Sequence, residues 1–487
     1  MKPQPRYPLI YQINTSVWMD QLGRDLGRPA TLDDIPDAAL DDIKRNGFHW
    51  VWLLTVWTTG PLGRAAALAI KPGLKAVLPD LSDADIRASG FAVADYTVDP
   101  TFGGPAALAR LRARMAKREL RLMLDFVPNH TGLDHPWATQ HPAYYVQGSE
   151  SDLAAHSGRY TRVGDAILAH GRDPNYDGWR DTLQLNYANA ELREAQIGNL
   201  LAIADQCDGV RCDMIMLILP EVFKRTWGID IPDFWPEAIG RLRKRSKNFC
   251  VMGECYWGLN QQLLDRGFDY CYDKDPMYER VCRGSARDIR AHLVADLAYQ
   301  RRMARFLENH DEERAAAVLP LARHQAAAMV TYFTPCLRFF HQGQLKGYRT
   351  HIPMQLRRGP EQDPDYGLSP FYRQLLSALS AEVFVDGDWR AIDPLPAWDG
   401  NPSHDGFIAY GWQGGGETYL VVVNYAGGEG QCRLRLPFAG LGGKRVALTE
   451  MLGDEHYIRS GDEMVGPGLF IGLPAWGYNL FRLSVEG

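Results

Sequence analysis

The sequence predicts an α/β architecture: a (β/α)8 (TIM) barrel with a short inserted subdomain after its third strand and a C-terminal all-β sandwich. Three observations predict it. Strand-like and helix-like segments alternate about eight times over roughly 380 residues, the signature of a parallel sheet joined by helical crossovers. One stretch, 131–186, interrupts the alternation with little periodicity and much Gly, His, Asp, Tyr and Pro. From about residue 385 helical periodicity stops, and short apolar runs alternate with Gly-rich turns. The chain has 487 residues, too many for one ordinary compact domain.

The elements follow in order. Residues 9–13 read as a first strand. Residues 33–46 place Ile35, Leu40 and Ile43 on one helical face, and Gly47 stops the helix. Residues 50–54 are a buried strand, 104–118 a helix and 122–127 another apolar strand. Beyond the insertion, 190–206 is helical, 209–213 a short strand, and a helix-rich stretch reaches Lys247. Strands are expected at 249–254, 267–272 and 303–308, with helices at 286–300 and 314–329. Residues 330–333 and 337–340 form the last strand region, and 369–382 the last helix. No G-x-G-x-x-G follows the first strand, which argues against a dinucleotide fold. Runs at 407–412, 419–424 and 432–436 read as sandwich strands. The expected domains are therefore a barrel from 1–130 and 187–384, an insert of active-site loops at 131–186, and a sandwich at 385–487.

Composition removes several function classes. The formal net charge is −6 and no Lys/Arg stripe occurs, so no nucleic-acid partner is expected. No window approaches 18 apolar residues, so no membrane partner is expected. No signal-peptide pattern follows Met1, and none of the eight cysteines forms a C-x-x-C pair. Several sit in apolar runs, as in Phe249-Cys250-Val251-Met252, so buried free thiols and a cytoplasmic location are expected.

The chemistry lies where the strands end. The third ends in Asp125, followed by Pro128-Asn129-His130. The fourth ends in Arg211-x-Asp213, the fifth in Glu254, and the seventh in Asn309-His310-Asp311. The C-terminal ends of barrel strands converge on one face. Four carboxylates, two His and one Arg should meet there. A lone acidic residue closing an apolar strand is usually just the first loop residue; four in register are costly unless used. Glycoside cleavage needs such a set: two carboxylates flanking the bond, with pKa values driven apart, and a cation to keep one of them ionised.

The motifs Asp125-Phe126-Val127-Pro128-Asn129-His130, Gly209-Val210-Arg211-Cys212-Asp213, Gly253-Glu254 and Asn309-His310-Asp311 resemble, in order and spacing, those of the α-amylase family of glycoside hydrolases. The approach from Gly90 to Tyr96, then Asp99-Pro100-Thr101-Phe102-Gly103, and the triplet Gln184-Leu185-Asn186 resemble further motifs of that family. The resemblance implies Asp213 as nucleophile, Glu254 as general acid/base and Asp311 as transition-state stabiliser. It implies Arg211, His130, His310 and Asp125 as supporting or substrate-binding residues, with the α configuration retained by double displacement. The substrate would be a malto-oligosaccharide or small α-glucoside. The alternative is α-glucosyl transfer or isomerisation, and the remaining one a non-catalytic family member, which would require lost catalytic residues.

The sequence also departs from the family pattern. Phe91 stands where a Tyr usually stacks beneath the sugar, and Ala92 where exo-acting α-glucosidases often carry an Asp. Met216 and Leu217 replace the Lys-His pair of many starch-cleaving members. Arg314, three residues after Asp311, resembles the α-glucosidase side, and the short insertion favours small substrates. Trp257, three residues after Glu254, is the candidate sugar platform, while Trp57 and Trp179 read as packing. No cofactor is required. A structural Ca²⁺ is possible through Asn129, with Asp173 and Asp177 in the insert, but no clear ligand pattern supports it; Asn129 reads as a turn cap. His156 and His170 read as loop hydrogen-bonders, and Arg338, Lys346 and Arg349 as solvated loop residues.

Overall fold

The computed structural model describes residues 4–486. Eight parallel strands close a barrel: β1 (Leu9–Asn14), β2 (Trp50–Leu54), β3 (Arg121–Phe126), β4 (Gly209–Cys212), β5 (Cys250–Gly253), β6 (Tyr270–Tyr272), β7 (Met303–Arg305) and β8 (Leu337–His341). Each pairs with its sequence neighbours, and β1 closes on β8. The strands are mostly apolar because both faces are covered. Trp50, Trp52 and Leu54 of β2 point inward with Met123, Met252, Tyr272, Leu337 and Phe339. Val51, Leu53, Leu122, Leu124, Val210 and Val251 point outward onto the helices.

The crossover helices follow local signals. Ala190–Gln206 starts at Asn189, whose side chain accepts the N–H groups of Glu191 and Leu192. A helix at Thr15–Leu26, not foreseen from the sequence, is capped by Asn14 and stops at Gly27 in the left-handed region. Between β2 and β3 lie two further unforeseen helices, Pro61–Ala69 and Lys71–Leu74. The expected helix 286–300 is two, Ala286–Leu293 and Leu297–Gln300.

One expected strand segment is helical. Residues 330–332 end the helix Leu321–Tyr332, and only Leu337–His341 forms the last barrel strand. Pro320 separates this helix from Ala315–Val318. Every residue from Ala326 to Tyr332 is buried, so the segment lacks the polar face that would mark it as helical. Arg338 is likewise not a solvated loop residue. It is fully buried in β8 and donates to the carbonyls of Tyr7, Tyr332 and Phe384.

The insert contains hairpin strands Tyr160–Val163 and Ala166–Ala169, and the pair His130–Gly132 with Thr182–Gln184. After the barrel, a six-stranded antiparallel sheet packs against a three-stranded one, with Phe407, Leu420, Val422, Leu434, Leu448 and Ile471 between them. The alternate residues Tyr410, Trp412, Tyr419 and Val421 belong to the barrel's outer core. Three aromatic donors reach barrel-side carbonyls: Tyr410 Oη to Met329 O (2.7 Å), Trp412 Nε1 to Phe333 O (2.8 Å) and Tyr425 Oη to Val281 O (2.5 Å). Among the described residues no helix is long and apolar enough to cross a membrane.

Candidate active site

The parallel ladder sets the site. Arg211 pairs in register with Asp125 on β3 and Met252 on β5. The ladder continues past the strand ends: Asp213 N donates to Phe126 O (2.8 Å) and Glu254 N to Cys212 O (3.0 Å). Asp213 and Glu254 are thereby fixed at the rim by backbone rather than by mobile loops.

Arg211 is fully buried. Its Nη1 lies 2.7 Å from Asp213 Oδ1 and 3.6 Å from Asp125 Oδ1, and its Nη2 lies 2.6 Å from Glu254 Oε2. The rings of Trp52, Phe91 and Tyr272 surround the guanidinium at 5.3, 5.2 and 5.9 Å. Asp125 also accepts Trp52 Nε1–H (3.2 Å) and Thr55 N–H (2.8 Å). Glu254 accepts two further donors, Met214 N–H on Oε2 (2.9 Å) and Tyr256 Oη–H on Oε1 (2.5 Å).

His310 Nδ1 lies 2.9 Å from Gln12 Nε2 of β1. With Gln12 donating, the imidazole proton sits on Nε2, which is 3.1 Å from Asp311 Oδ2 but off hydrogen-bonding geometry. Phe91 stacks on His310 with ring centres 5.2 Å apart and planes 27° from parallel. Gly90 brings Phe91 there: a Cβ at Gly90 would lie 2.1 Å from the Thr55 Cβ. His130 packs against Trp179, ring centres 5.3 Å apart. A cavity of about 390 Å³ opens onto Asp213, Glu254, Asp311, His130, His310 and Phe91.

Burial and like charge push these groups away from their ordinary values. Asp125 is raised to about 6 by burial, against the pull of Arg211. Asp213 and Glu254 are also raised by burial, and Arg211 opposes both shifts. Asp311 goes well above the carboxylate range through desolvation and then through repulsion by Glu254. Its side chain is 44% exposed, so the repulsion is the cause that survives contact with solvent. Burial lowers His130 to about 4 and takes His310 well below the usual imidazole value, so both rings are neutral near pH 7. Burial works against Arg211's charge, but Glu254, Tyr272 and the two Asp residues outweigh it and fix the cation.

The structure thus gathers Asp125, His130, Arg211, Asp213, Glu254, His310, Asp311 and Phe91 at one mouth, and leaves two expected site residues outside it. Trp257 has φ of 63°, in a turn held by Asp275, which accepts the N–H groups of Trp257 and Gly258. Its ring lies under Arg225 at 5.5 Å and does not line the cavity. Arg314 is buried and spans Glu308 (3.0 Å) and the carbonyls of Gln342 and Tyr348. It braces the loops after β7 and β8.

Other residues do line the cavity: Tyr256, Met214, Trp179, Asp181, His351 and Met354. Trp179, expected from the sequence to be packing, is part of this lining. Nothing in the spacing marks Tyr256 over Trp257, because the left-handed turn that exchanges them is set by the distant Asp275. Met214 has φ of 42° and ψ of 47°, a strained conformation for a non-glycine residue, which directs its N–H at Glu254.

The groups considered for Ca²⁺ bond within the protein instead of converging on one site. Asn129 Oδ1 accepts Gln184 Nε2–H (3.0 Å), which also replaces the expected turn cap. Asp173 Oδ1 accepts the N–H groups of Asn175 and Tyr176, and Asp177 pairs with Arg159. Among the described residues no three His, Cys, Asp or Glu are grouped to hold a metal.

The catalytic-domain profile of the α-amylase family matches residues 38–264, the segment that carries β2 to β5 and with them Asp125, Arg211, Asp213 and Glu254. Over that segment, a little under half of the chain, the sequence is similar to the α-amylase catalytic domain. An intracellular maltogenic amylase of Bacillus subtilis (strain 168) is 21% identical over 320 residues, covering 61% of this chain and 51% of the relative. The chain therefore spans about half the length of that curated relative. A maltogenic α-amylase, AmyB, from Thermotoga neapolitana has the same fold, with a TM-score of 0.70, 19% identity and 99% of each chain covered. A trehalulose synthase mutant crystallised with Tris matches at a TM-score of 0.68 and 18% identity, over 99% of this chain and all (100%) of that one. The barrel accounts for the order of the site motifs along the chain, each at the end of its own strand.

Proposed function

We propose that the protein is a retaining glycoside hydrolase acting on α-glucosidic bonds of malto-oligosaccharides or small α-glucosides. The observation that carries this reading is the pair Asp213 and Glu254, held at the cavity by one buried guanidinium. Asp213, bonded to Arg211, attacks the anomeric carbon while protonated Glu254 gives its proton to the leaving oxygen. A glucosyl ester forms on Asp213. Glu254, now ionised, takes a proton from water as the ester is cleaved. Asp311 and the neutral His130 and His310 are placed to hydrogen-bond the hydroxyls of the bound ring. The 390 Å³ cavity suits one or two sugar units, which supports small substrates.

A second reading, glucosyl transfer to a sugar acceptor, draws support from the apolar wall formed by Met214, Trp179, Pro353 and Met354. Such a wall favours the C–H face of a sugar over water. A panel of maltose, maltodextrins, sucrose, trehalose and isomaltose, with products followed by NMR, separates the two. Trapping with a fluorinated activated α-glucoside and peptide mass spectrometry tests both; an adduct on any residue other than Asp213 overturns the mechanism. A cytoplasmic location is supported by eight unpaired cysteines, seven of them buried.

A further inference from the structure

We infer that Tyr256 is a positioning residue for Glu254: its phenol holds the carboxylate in the base form and marks the place taken by the glycosidic or acceptor oxygen. The inference rests on the reading of Glu254 as the acid/base.

Glu254 accepts hydrogen bonds from three donors, while the carboxylates of Asp213 and Asp311 face it as like charges. Oε2 receives Arg211 Nη2–H at 2.6 Å and Met214 N–H at 2.9 Å. Oε1 receives only the phenol of Tyr256, at 2.5 Å. These three donors favour the anion and oppose the burial and the Asp213 charge that raise Glu254. The anion is the form needed in the second half of the reaction, when Glu254 removes a proton from the incoming hydroxyl. The first half needs the acid, with one oxygen free to carry the proton.

Mobility decides which oxygen that is. Arg211 has no exposed surface and is fixed by three carboxylates. Met214 donates from the main chain, in a left-handed conformation that sets the direction of its N–H. Tyr256 is part-buried, lines the cavity and can rotate about two side-chain bonds. Oε1 is therefore the working oxygen. Burial and the charge of Glu254 keep the phenol protonated, so it gives way to the substrate without giving up its proton.

The balance is complete without any outside group. In the first half, the proton on Glu254 Oε1 passes to the glycosidic oxygen as its bond to the anomeric carbon breaks and the Asp213 ester forms. In the second half, the acceptor's proton passes to Oε1 as the new C–O bond forms and the ester breaks. Tyr256 donates to Oε1 whenever no sugar oxygen occupies that place.

The test is Tyr256→Phe, which removes one hydroxyl, assayed on maltose and on 2,4-dinitrophenyl α-glucoside, whose departure needs no proton. The alkaline limb of kcat/KM for maltose should rise by about one pH unit, since Glu254 loses a donor to its anion. On the dinitrophenyl substrate, kcat/KM should stay within about twofold. Its kcat should fall about tenfold, with a burst and a lower KM, because the deglycosylation step has lost its prepared base. Replacing Tyr256 by 3-fluorotyrosine, a stronger donor of nearly the same size, should move the alkaline limb down. Unmoved limbs in both variants, or equal losses on both substrates, overturn the inference. Persistence of activity in Asp213→Asn on the dinitrophenyl substrate would instead overturn the reading beneath it.

Discussion

Arg211 Nη1 lies 2.7 Å from Asp213 Oδ1, two residues along the same strand end, while the other prong of the same guanidinium holds Glu254. A forked cation can serve two carboxylates at once, whereas an ammonium is a single point charge. Arg211→Lys should keep the net charge but lose the second prong. We expect kcat to fall by about 10²–10³ while stability in urea falls by less than about 2 kcal/mol. Arg211→Met leaves three carboxylates without their cation and should cost about 3–5 kcal/mol. A Lys variant with near-normal kcat would show that the shared fork is dispensable.

The raised carboxylates set the pH profile. On the proposed mechanism Asp213 works ionised, so activity should fall as pH drops through its raised pKa, and Glu254 works protonated, so activity should fall as pH climbs through its own. Both limbs of kcat/KM should therefore lie above the ordinary carboxylate range of about 4. An optimum at about pH 4 or below would contradict the electrostatics of the mouth.

Asp125 makes a prediction about stability rather than rate. Its native value of about 6 exceeds the ordinary value, so between about pH 4 and 6 the native state binds more protons than the unfolded state. Its contribution is fully present at the low end of this window and is lost as pH rises through about 6. Asp125→Asn removes that titration. The difference in melting temperature between Asp125→Asn and the parent should shift in favour of the variant as pH rises from about 4 to about 6.5. A constant difference would mean that Arg211 fully offsets the burial of Asp125.

The two tryptophans near the site should part company. Trp179 lines the cavity against His130, and Trp257 lies outside it under Arg225. Trp179→Ala should raise KM about tenfold, while Trp257→Ala should leave kcat/KM within about twofold. The reverse ranking in steady-state kinetics would restore Trp257 as a sugar platform.

Phe91 supplies stacking without a phenol. It lies on His310 and over Arg211. Phe91→Ala should lower kcat/KM by about 10²-fold by loosening His310. Phe91→Tyr should keep the stack, and maltose affinity would then report whether the missing hydroxyl matters. An Ala variant with unchanged kinetics would remove Phe91 from the site.

The barrel and its mouth were legible because period and position coincide there: apolar runs end in Asp125, Asp213 and Glu254, and parallel pairing brings strand ends together without further information. What escaped was set by distant partners or by uniform burial. Tyr256 and Trp257 are adjacent, and the bonds from their turn to Asp275 accompany the arrangement in which Tyr256, not Trp257, faces the cavity. Arg314 sits beside Asp311 in sequence, yet Glu308 and two carbonyls draw it into the wall. Residues 330–332 look like strand because a helix buried on every side shows no amphipathic stripe.

The three aromatic donors that the C-terminal sheet sends to Met329, Phe333 and Val281 join the two halves at the level of main-chain carbonyls. Separating them would break three buried hydrogen bonds at once. The sheet is thus a cooperative part of the barrel's folding unit. Heat or denaturant should melt both halves in a single transition, with loss of the catalytic mouth and loss of the distant sheet recorded as one event.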